Sequence, residues 1–272
     1  MSAEPAELGL GLPGDTAADV VAEVAARAEA LGYASFWLND TPHGDALAGL
    51  AAAAGATTRI RLASGVLALD RWTADGIRDA VSARRLPVDR LVIGLGAGGL
   101  RHPLARVRAT VRALRDGSGA RIVVGALGPR MRELAARDAD GVLLNWLTPA
   151  AAAEATRDLR AAAGATREPR SAVPRDAPRS IFYLRTAVDA DARAALDAQI
   201  AMYAGIPAYA RNFAATGVDP ADAAIDAAGV AAGGLDAYRR TVDELVLRAV
   251  VRVPNAANYL DVATRAAAAA GR

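Results

Sequence analysis

Along this chain a short β-branched, apolar run gives way to an alanine-rich helical stretch eight times over, and no single motif constrains the fold as strongly. A strand that reads as unbroken Val, Ile and Leu has no polar face, so it belongs in a parallel sheet covered on both sides. The fifth and sixth units, Arg121 to Pro149, show the design most clearly: RIVVGALGPRMRELAARDADGVLLNWLTP. Ile122, Val123 and Val124 form a strand, and Gly125 and Gly128 remove side chains where the backbone turns. Pro129 suits the first helical position, where its missing N–H has no partner to lose. A helix carrying Met131, Leu134, Ala135 and Asp138 follows. Ala139-Asp140-Gly141 then turns the chain into Val142-Leu143-Leu144, which ends in Asn145 and Trp146. The free amides of the first helical turn, with the helix dipole, suit an anion such as a phosphate. Ordinary turn glycines produce the same spacing.

The other units repeat the pattern. Leu8 to Leu12 leads into a helix from about Thr16 to Leu31, with Thr16 expected at the N-cap. Ser35 to Leu38 precedes a helix from His43 to Ala54. Ile60 to Leu67 precedes one near Thr73 to Arg85, and Leu91 to Leu95 precedes Leu104 to Leu114. The sixth helix runs from Pro149 to about Ala163. Ser180 to Val188 is the seventh strand, followed over 189–240 by short helical stretches broken at Gly205-Ile206-Pro207 and from Gly217 to Pro220. Glu244 to Val251 and the helix Asn255 to Ala270 close the series. Eight alternating units in a chain of about 250 residues predict one α/β domain, a (β/α)8 TIM barrel spanning residues 1–272. Gly164 to Arg179, rich in proline and arginine, breaks the pattern and is expected to be irregular, a mobile lid or a solvated linker.

Composition removes several chemistries. There is no cysteine, which excludes disulfides, thiolate metal sites and cysteine nucleophiles. All 32 basic residues are arginine, so Schiff-base lysine chemistry and the Walker A lysine are excluded too. The net charge of +2 is small and its arginines are dispersed among acids, so no nucleic-acid partner is expected. No apolar run reaches the roughly 18 to 20 residues of a membrane span. The start, MSAEPAELG, lacks the basic and apolar segments of a signal peptide, and a cytoplasmic location is expected. The two histidines, His43 and His102, have no carboxylate spacing that suggests a metal site. No G-x-S-x-G elbow points to a serine hydrolase.

In a barrel of this kind the active site lies at the C-terminal ends of the strands. Those ends read Phe36-Trp37-Leu38-Asn39-Asp40, Ser64-Gly65-Val66 followed by Asp70-Arg71-Trp72, Gly94-Leu95-Gly96-Ala97-Gly98-Gly99, Gly125-Ala126-Leu127-Gly128, and Asn145-Trp146. Small residues let backbone approach a flat ligand and tryptophan supplies apolar walls, which suits a planar cofactor with a phosphate tail. Trp37, in mid-strand, reads as a packing residue; Trp146 reads as part of the rim. Gly94 to Gly99 matches GxGxxG, but in the fourth unit and with no acid at the end of the next strand. A tight loop whose amides face a ligand fits better than a dinucleotide fingerprint. His43 lies near the expected mouth, and His102 in the loop after strand four.

Taken together, FWLND (Phe36 to Asp40), TRIRLASGV (Thr58 to Val66), DRLVIGLGAG (Asp89 to Gly98), GALGPRM (Gly125 to Met131), ADGVLLNW (Ala139 to Trp146) and DELVLRAV (Asp243 to Val250) resemble the bacterial luciferase-like flavin and deazaflavin oxidoreductases. They fall in family order over nearly the whole chain. The pair GALGPRM and ADGVLLNW is most similar to the branch that uses coenzyme F420. The resemblance implies hydride transfer between that deazaflavin and a small-molecule substrate, with an FMN-dependent monooxygenase as the alternative. It implies a bulge at Ser64, Gly65 and Val66, with a non-proline cis peptide, backing the ring. Gly96, Ala97, Gly98 and the turn Gly125, Ala126, Leu127, Gly128, Pro129 and Arg130 are implied to hold the cofactor tail. Asn39 and Asp40 are implied to face ring or substrate, with Asn145 and Trp146 nearby, and a homodimer is implied. Two departures stand out. Relatives place histidine directly after the strand-two aspartate, where this chain has Thr41 and a histidine only at His43, so Asp40 and His43 are the candidates for proton handling. The connection between strands four and five is short, only Gly99 to Ala120, and this leaves open a noncatalytic cofactor-binding or structural barrel.

Overall fold

In the computed structural model, residues 5–165 and 177–271 are described; most of the irregular connection expected from Gly164 to Arg179 lies outside them. The elements are β1 (Glu7–Pro13), α1 (Ala18–Ala30), β2 (Ser35–Asn39), α2 (Ala46–Ala56), β3 (Arg61–Ala68), α3 (Ala74–Ala83), β4 (Leu91–Gly96), α4 (Leu104–Arg115), β5 (Arg121–Gly125), α5 (Pro129–Asp138), β6 (Gly141–Asn145) and α6 (Pro149–Gly164). They continue with β7 (Arg179–Thr186), α7 (Arg193–Ala204), α8 (Pro207–Thr216), β8 (Ala224–Ile225), α9 (Ala227–Ala231), α10 (Gly234–Arg239), β9 (Glu244–Ala249) and α11 (Ala256–Ala269). Strands β1 to β6 pair in sequence, β7 pairs with β6 and β9, and β9 pairs with β1, so eight parallel strands close into the expected (β/α)8 barrel. The two-residue β8 adds to the end of β7 and is too short to have left a period in the sequence. No helix among the described residues is long and apolar enough to cross a membrane.

Each helix turns an apolar stripe to the barrel. In α4 the buried residues are Val107, Thr110, Val111 and Leu114, one face of a helix at 3.6 residues per turn. Several N-termini are capped as side-chain chemistry dictates: Asp45 accepts from the Ala48 amide, Thr73 from Gly76, and Thr148 from Ala151. Thr16 departs from expectation. Its hydroxyl donates to the Pro13 carbonyl at 2.8 Å, and α1 begins after Ala17 with no side-chain cap. The second helix likewise starts at Ala46 rather than at His43, because Asp45 supplies the cap.

Alternate residues of the strands fill the barrel. Its middle is apolar: Trp37, Ala63, Val92, Val123, Leu143, Ile181, Tyr183 and Val246 form one buried cluster, and Trp37 is the packing residue expected. Its base is charged. The Glu244 carboxylate, only 2% exposed, accepts from Ser35 Oγ at 2.5 Å, Trp37 Nε1 at 3.1 Å and Arg61 Nη2 at 2.9 Å. Arg61 also reaches Glu7 at 2.6 Å, and Arg179 reaches the same Glu7 oxygen at 2.5 Å. Burial works against ionising Glu7, yet the hydrogen bonds and charges of Arg61 and Arg179 hold its carboxyl below the usual range. The matching acids hold the Arg61 guanidinium above its ordinary value despite burial.

Removing one member of such a network leaves buried charge without compensation. Glu244→Ala is expected to destabilise the protein by about 3–5 kcal/mol in urea unfolding. Glu244→Gln, which keeps an acceptor for Trp37, is expected to lose less.

Candidate active site

At the C-terminal end of β3 the chain departs from regular pairing. Ser64 lies opposite Ile93 and Leu67 opposite Leu95, so Gly65 and Val66 together face only Gly94. The peptide between Gly65 and Val66 is cis, as the family resemblance implies. Ser64 Oγ is buried in this bulge and accepts from the Gly94 amide at 3.0 Å. Asn39, the last residue of β2, donates from Nδ2 to the Gly65 carbonyl at 2.6 Å. The strand glycines answer Val66: a Cβ on Gly96 would lie 2.3 Å from Val66 Cγ2, and one on Gly125 would lie 3.1 Å from Cγ1. They leave room for the bulge before any ligand is considered.

Behind Asn39 stands a layer of polar side chains that point inward at the barrel mouth. Asn39 Oδ1 accepts from Arg248 Nε at 2.7 Å and from the Tyr183 hydroxyl at 3.2 Å, while Arg248 Nη1 bonds the Ala249 carbonyl. Burial pushes the Tyr183 hydroxyl up to about 12, so it stays protonated and serves as a donor. Burial also lowers the Arg248 guanidinium from its ordinary value, with the charge of Arg185 adding to the effect. Arg185 is the register partner of Arg248 on the adjoining strand and is 3% exposed. Its guanidinium carbon lies 4.4 Å from the Trp146 ring centre and 4.3 Å from that of Tyr203.

Trp146 does not stand on an open rim. It is fully buried, with Tyr203 of α7 at 4.9 Å and Phe213 of α8 at 6.1 Å between ring centres, because the enlarged seventh helical region folds over it. Its φ of +55° is a left-handed backbone seldom seen for a bulky residue. Asn145, beside it, makes a long contact of 3.5 Å with the Tyr209 hydroxyl.

The Asp40 carboxylate is committed. It accepts from Arg71 Nη2 at 2.7 Å and Trp72 Nε1 at 3.0 Å, binding the loop after β2 to the loop after β3. Burial raises its carboxyl above the usual range, against the opposing pull of Trp72 and Arg71. Thr41 Oγ1 is buried with no partner, whereas His43 is exposed on the loop beyond. Asp70 accounts for the next glycines. Gly98 has φ +57° and a Cβ there would lie 2.1 Å from Asp70 Oδ1, while the Gly99 amide donates to Oδ2 at 2.8 Å. That amide therefore faces a carboxylate of the protein, contrary to its expected exposure to a ligand; Ala97 is half-buried beside it.

The turn after β5 is less committed. Ala126 is buried and its amide reaches the Leu143 carbonyl, whereas Leu127 and Gly128 are half-buried and Pro129 and Arg130 exposed. Gly128 caps α5 without any side-chain acceptor, and a Cβ there would meet open space. Among the described residues no group of three metal-ligating side chains clusters. A pocket of about 400 Å³ lined by Ile77, Val81 and Leu114 lies between α3 and α4, on the outside of the barrel.

Sequence reading missed Tyr183, Arg185 and Arg248. Their signal was an arginine near the end of an otherwise apolar strand, in FYLRT and in ELVLRA.

Since the Arg71 cation favours the charged form of Asp40, Arg71→Ala is expected to raise the Asp40 titration midpoint further above its ordinary value. Carboxyl-detected NMR titration of the two proteins measures this, and an unchanged or lower midpoint would contradict the ion pair.

The sequence model of the luciferase-like monooxygenase family matches residues 4–116 and 99–256. Comparison with curated protein sequences gave no match. Among solved structures, the coenzyme F420-dependent tetrahydromethanopterin reductase of Methanopyrus kandleri is similar, with 19% identity over 96% of this chain and 98% of that one and a TM-score of 0.67. An F420-dependent secondary alcohol dehydrogenase, in complex with an F420-acetone adduct, gives a TM-score of 0.72 at 14% identity, over 95% of this chain and 97% of that one. The oxygenating constituent of 3,6-diketocamphane monooxygenase from Pseudomonas putida, in complex with FMN, gives 0.67 at 14% identity, over 97% and 98%. The family model matches most of the chain, and the bulged third strand is the one that the resemblance implied: the protein belongs to the luciferase-like monooxygenase family.

Proposed function

We propose that the protein is an oxidoreductase that moves hydride between coenzyme F420 and a small organic substrate at the mouth of the barrel. The observation that carries this reading is the β3 bulge, clamped by Asn39 at the Gly65 carbonyl and seated by Val66 over Gly96 and Gly125. The donor set fits a flat heterocycle with an anionic tail: a small apolar backing, amide groups at Asn39 and Asn145, and an uncapped helix end at Gly128. Asn39, Ser64, Gly65 and Val66 would back the ring. Gly96, Ala97, Gly98 and the residues Gly125, Ala126, Leu127, Gly128, Pro129 and Arg130 would border the tail, with Asn145 and Trp146 alongside. When bound, the deazaflavin supplies a two-electron hydride donor or acceptor.

Hydride transfer needs face-to-face placement more than it needs acids and bases, and the chain's own residues provide placement. Arg248 and Tyr183 hold the Asn39 amide, which fixes the bulge. Asp40 positions the rim loops through Arg71 and Trp72, and His43 stands exposed on the loop after β2. Trp146, Tyr203 and Phe213 exclude water from one side. A homodimer is part of the same reading.

The second reading is an FMN-dependent monooxygenase, which the FMN complex among the structural neighbours favours. The third is a noncatalytic barrel, favoured by the single helix α4 in the short passage from β4 to β5. Fluorescence titration of the purified protein with F420 and with FMN separates the two cofactors, and turnover separates an enzyme from a noncatalytic barrel, since binding without hydride transfer to any acceptor would favour the latter. F420 is expected to bind more tightly, and Asn39→Ala to weaken it about tenfold, as loss of one or two buried hydrogen bonds predicts. Preferential FMN binding would favour the monooxygenase; binding of neither would sink both enzyme readings.

A further inference from the structure

We infer that Arg185 and Arg248 form an oxyanion subsite at the barrel mouth, so that the substrate of the reaction proposed above carries a carboxylate or phosphate group; the substrate part of this inference rests on that reading. The two arginines are register partners on adjoining strands and are nearly buried, and neither forms an ion pair with an Asp or Glu among the described residues. Arg248 spends two donors on neutral acceptors, Asn39 Oδ1 and the Ala249 carbonyl. Arg185 leaves both Nε and Nη1 buried and unpartnered.

Other arginines show that this is not a general feature. Arg115, Arg132, Arg179 and Arg239 also leave Nε unpaired, but each places an Nη on a carboxylate or a carbonyl. Beside Arg185, Trp146 Nε1 is a further buried donor with no acceptor. Three orphaned donor nitrogens on two touching side chains, next to a second buried cation, lack only an acceptor bearing negative charge. An oxyanion meets that need, since a guanidinium fork matches its geometry. In barrel order β7 and β9 lie across from β3 and β4, and Asn39 joins Arg248 to the Gly65 carbonyl of the bulge that would back the ring. A substrate on that ring would present its acid group to the arginines.

The test uses intrinsic tryptophan fluorescence and calorimetry on the whole protein, with sodium phosphate and sodium acetate as probes and sodium chloride at matched ionic strength as control. Saturable single-site binding of at least one probe, beyond the chloride response, is expected. Arg185→Met and Arg248→Met are each expected to weaken it by about tenfold or more, from the loss of a charge-assisted hydrogen bond. Arg185→Lys, which keeps the charge and loses the fork, should fall between and covers the case in which a methionine variant fails to fold. Binding no stronger than chloride, or undiminished in the folded variants, would overturn the subsite. Repeating the titration with saturating F420 or FMN assigns the anion's source: continued probe binding supports the substrate, and displacement by the cofactor overturns that assignment in favour of its tail. Probe binding without binding of either cofactor would instead defeat the hydride reading and leave the anion subsite standing.

Discussion

The buried Glu244 carboxylate is the constraint from which the barrel interior follows. Eight closed strands leave a core that side chains must fill, and an ionised acid within it costs several kcal/mol unless it is paired and hydrogen-bonded. Ser35, Trp37 and Arg61 meet that demand from β2 and β3, and Glu7 and Arg179 extend the network to β1 and β7. The base thus holds two acids against two arginines. The opposite end of the same interior carries Arg185 and Arg248, which pair with no Asp or Glu among the described residues and lie among Asn39, Tyr183, Trp146 and Tyr203. One end neutralises its own charges, and the other buries two arginines without a matching acid among the described residues. The bulge of β3 lies at the second end.

The architecture was legible because a parallel barrel strand must be apolar on both faces, which writes each strand as an unbroken run. Ile122 to Val124 and Val142 to Leu144 fall within β5 and β6 for this reason. The breaks at Gly205 to Pro207 and at Gly217 separate α7, α8 and the residues that follow, as their turn chemistry required. Long-range partners were not legible. Nothing local to Trp146 announces that helices some sixty residues later will bury it, and nothing near Asp40 announces Arg71 and Trp72. The inward arginines were hidden by the same rule that revealed the strands, since a run dominated by Leu and Val draws attention away from the single charged residue near its end.

The glycines show how one pattern serves two causes. Gly96 and Gly125 suggest backbone cleared for a ligand, and in the structure the cleared space is occupied first by Val66. Gly98 and Gly99 suggest amides turned to a ligand, and in the structure the Gly99 amide meets the Asp70 carboxylate while Gly98 makes room for it. Both statements remain compatible with a cofactor site, because Val66 on its glycine bed makes the surface and Asp70 fixes the loop beside it. The demand for glycine arises one layer beneath any ligand, where spacing along a sequence cannot separate ligand from protein.

Energetics separate the two roles of Arg185. Stacking on Trp146 and Tyr203 supplies two cation–π contacts, each worth about 0.5–2 kcal/mol. Removing a guanidinium from water costs several kcal/mol, and its orphaned donors recover none of that. Stacking alone therefore leaves a deficit, which Arg248 alongside increases. Charge-assisted hydrogen bonds of about 1.5–3 kcal/mol each would close it. An acid bound here would stabilise the fold and the complex together, and the aromatic wall would strengthen that binding by keeping water from the pair. The arrangement resembles the base of the barrel with its carboxylates withheld, and that difference is what the proposed anion would supply.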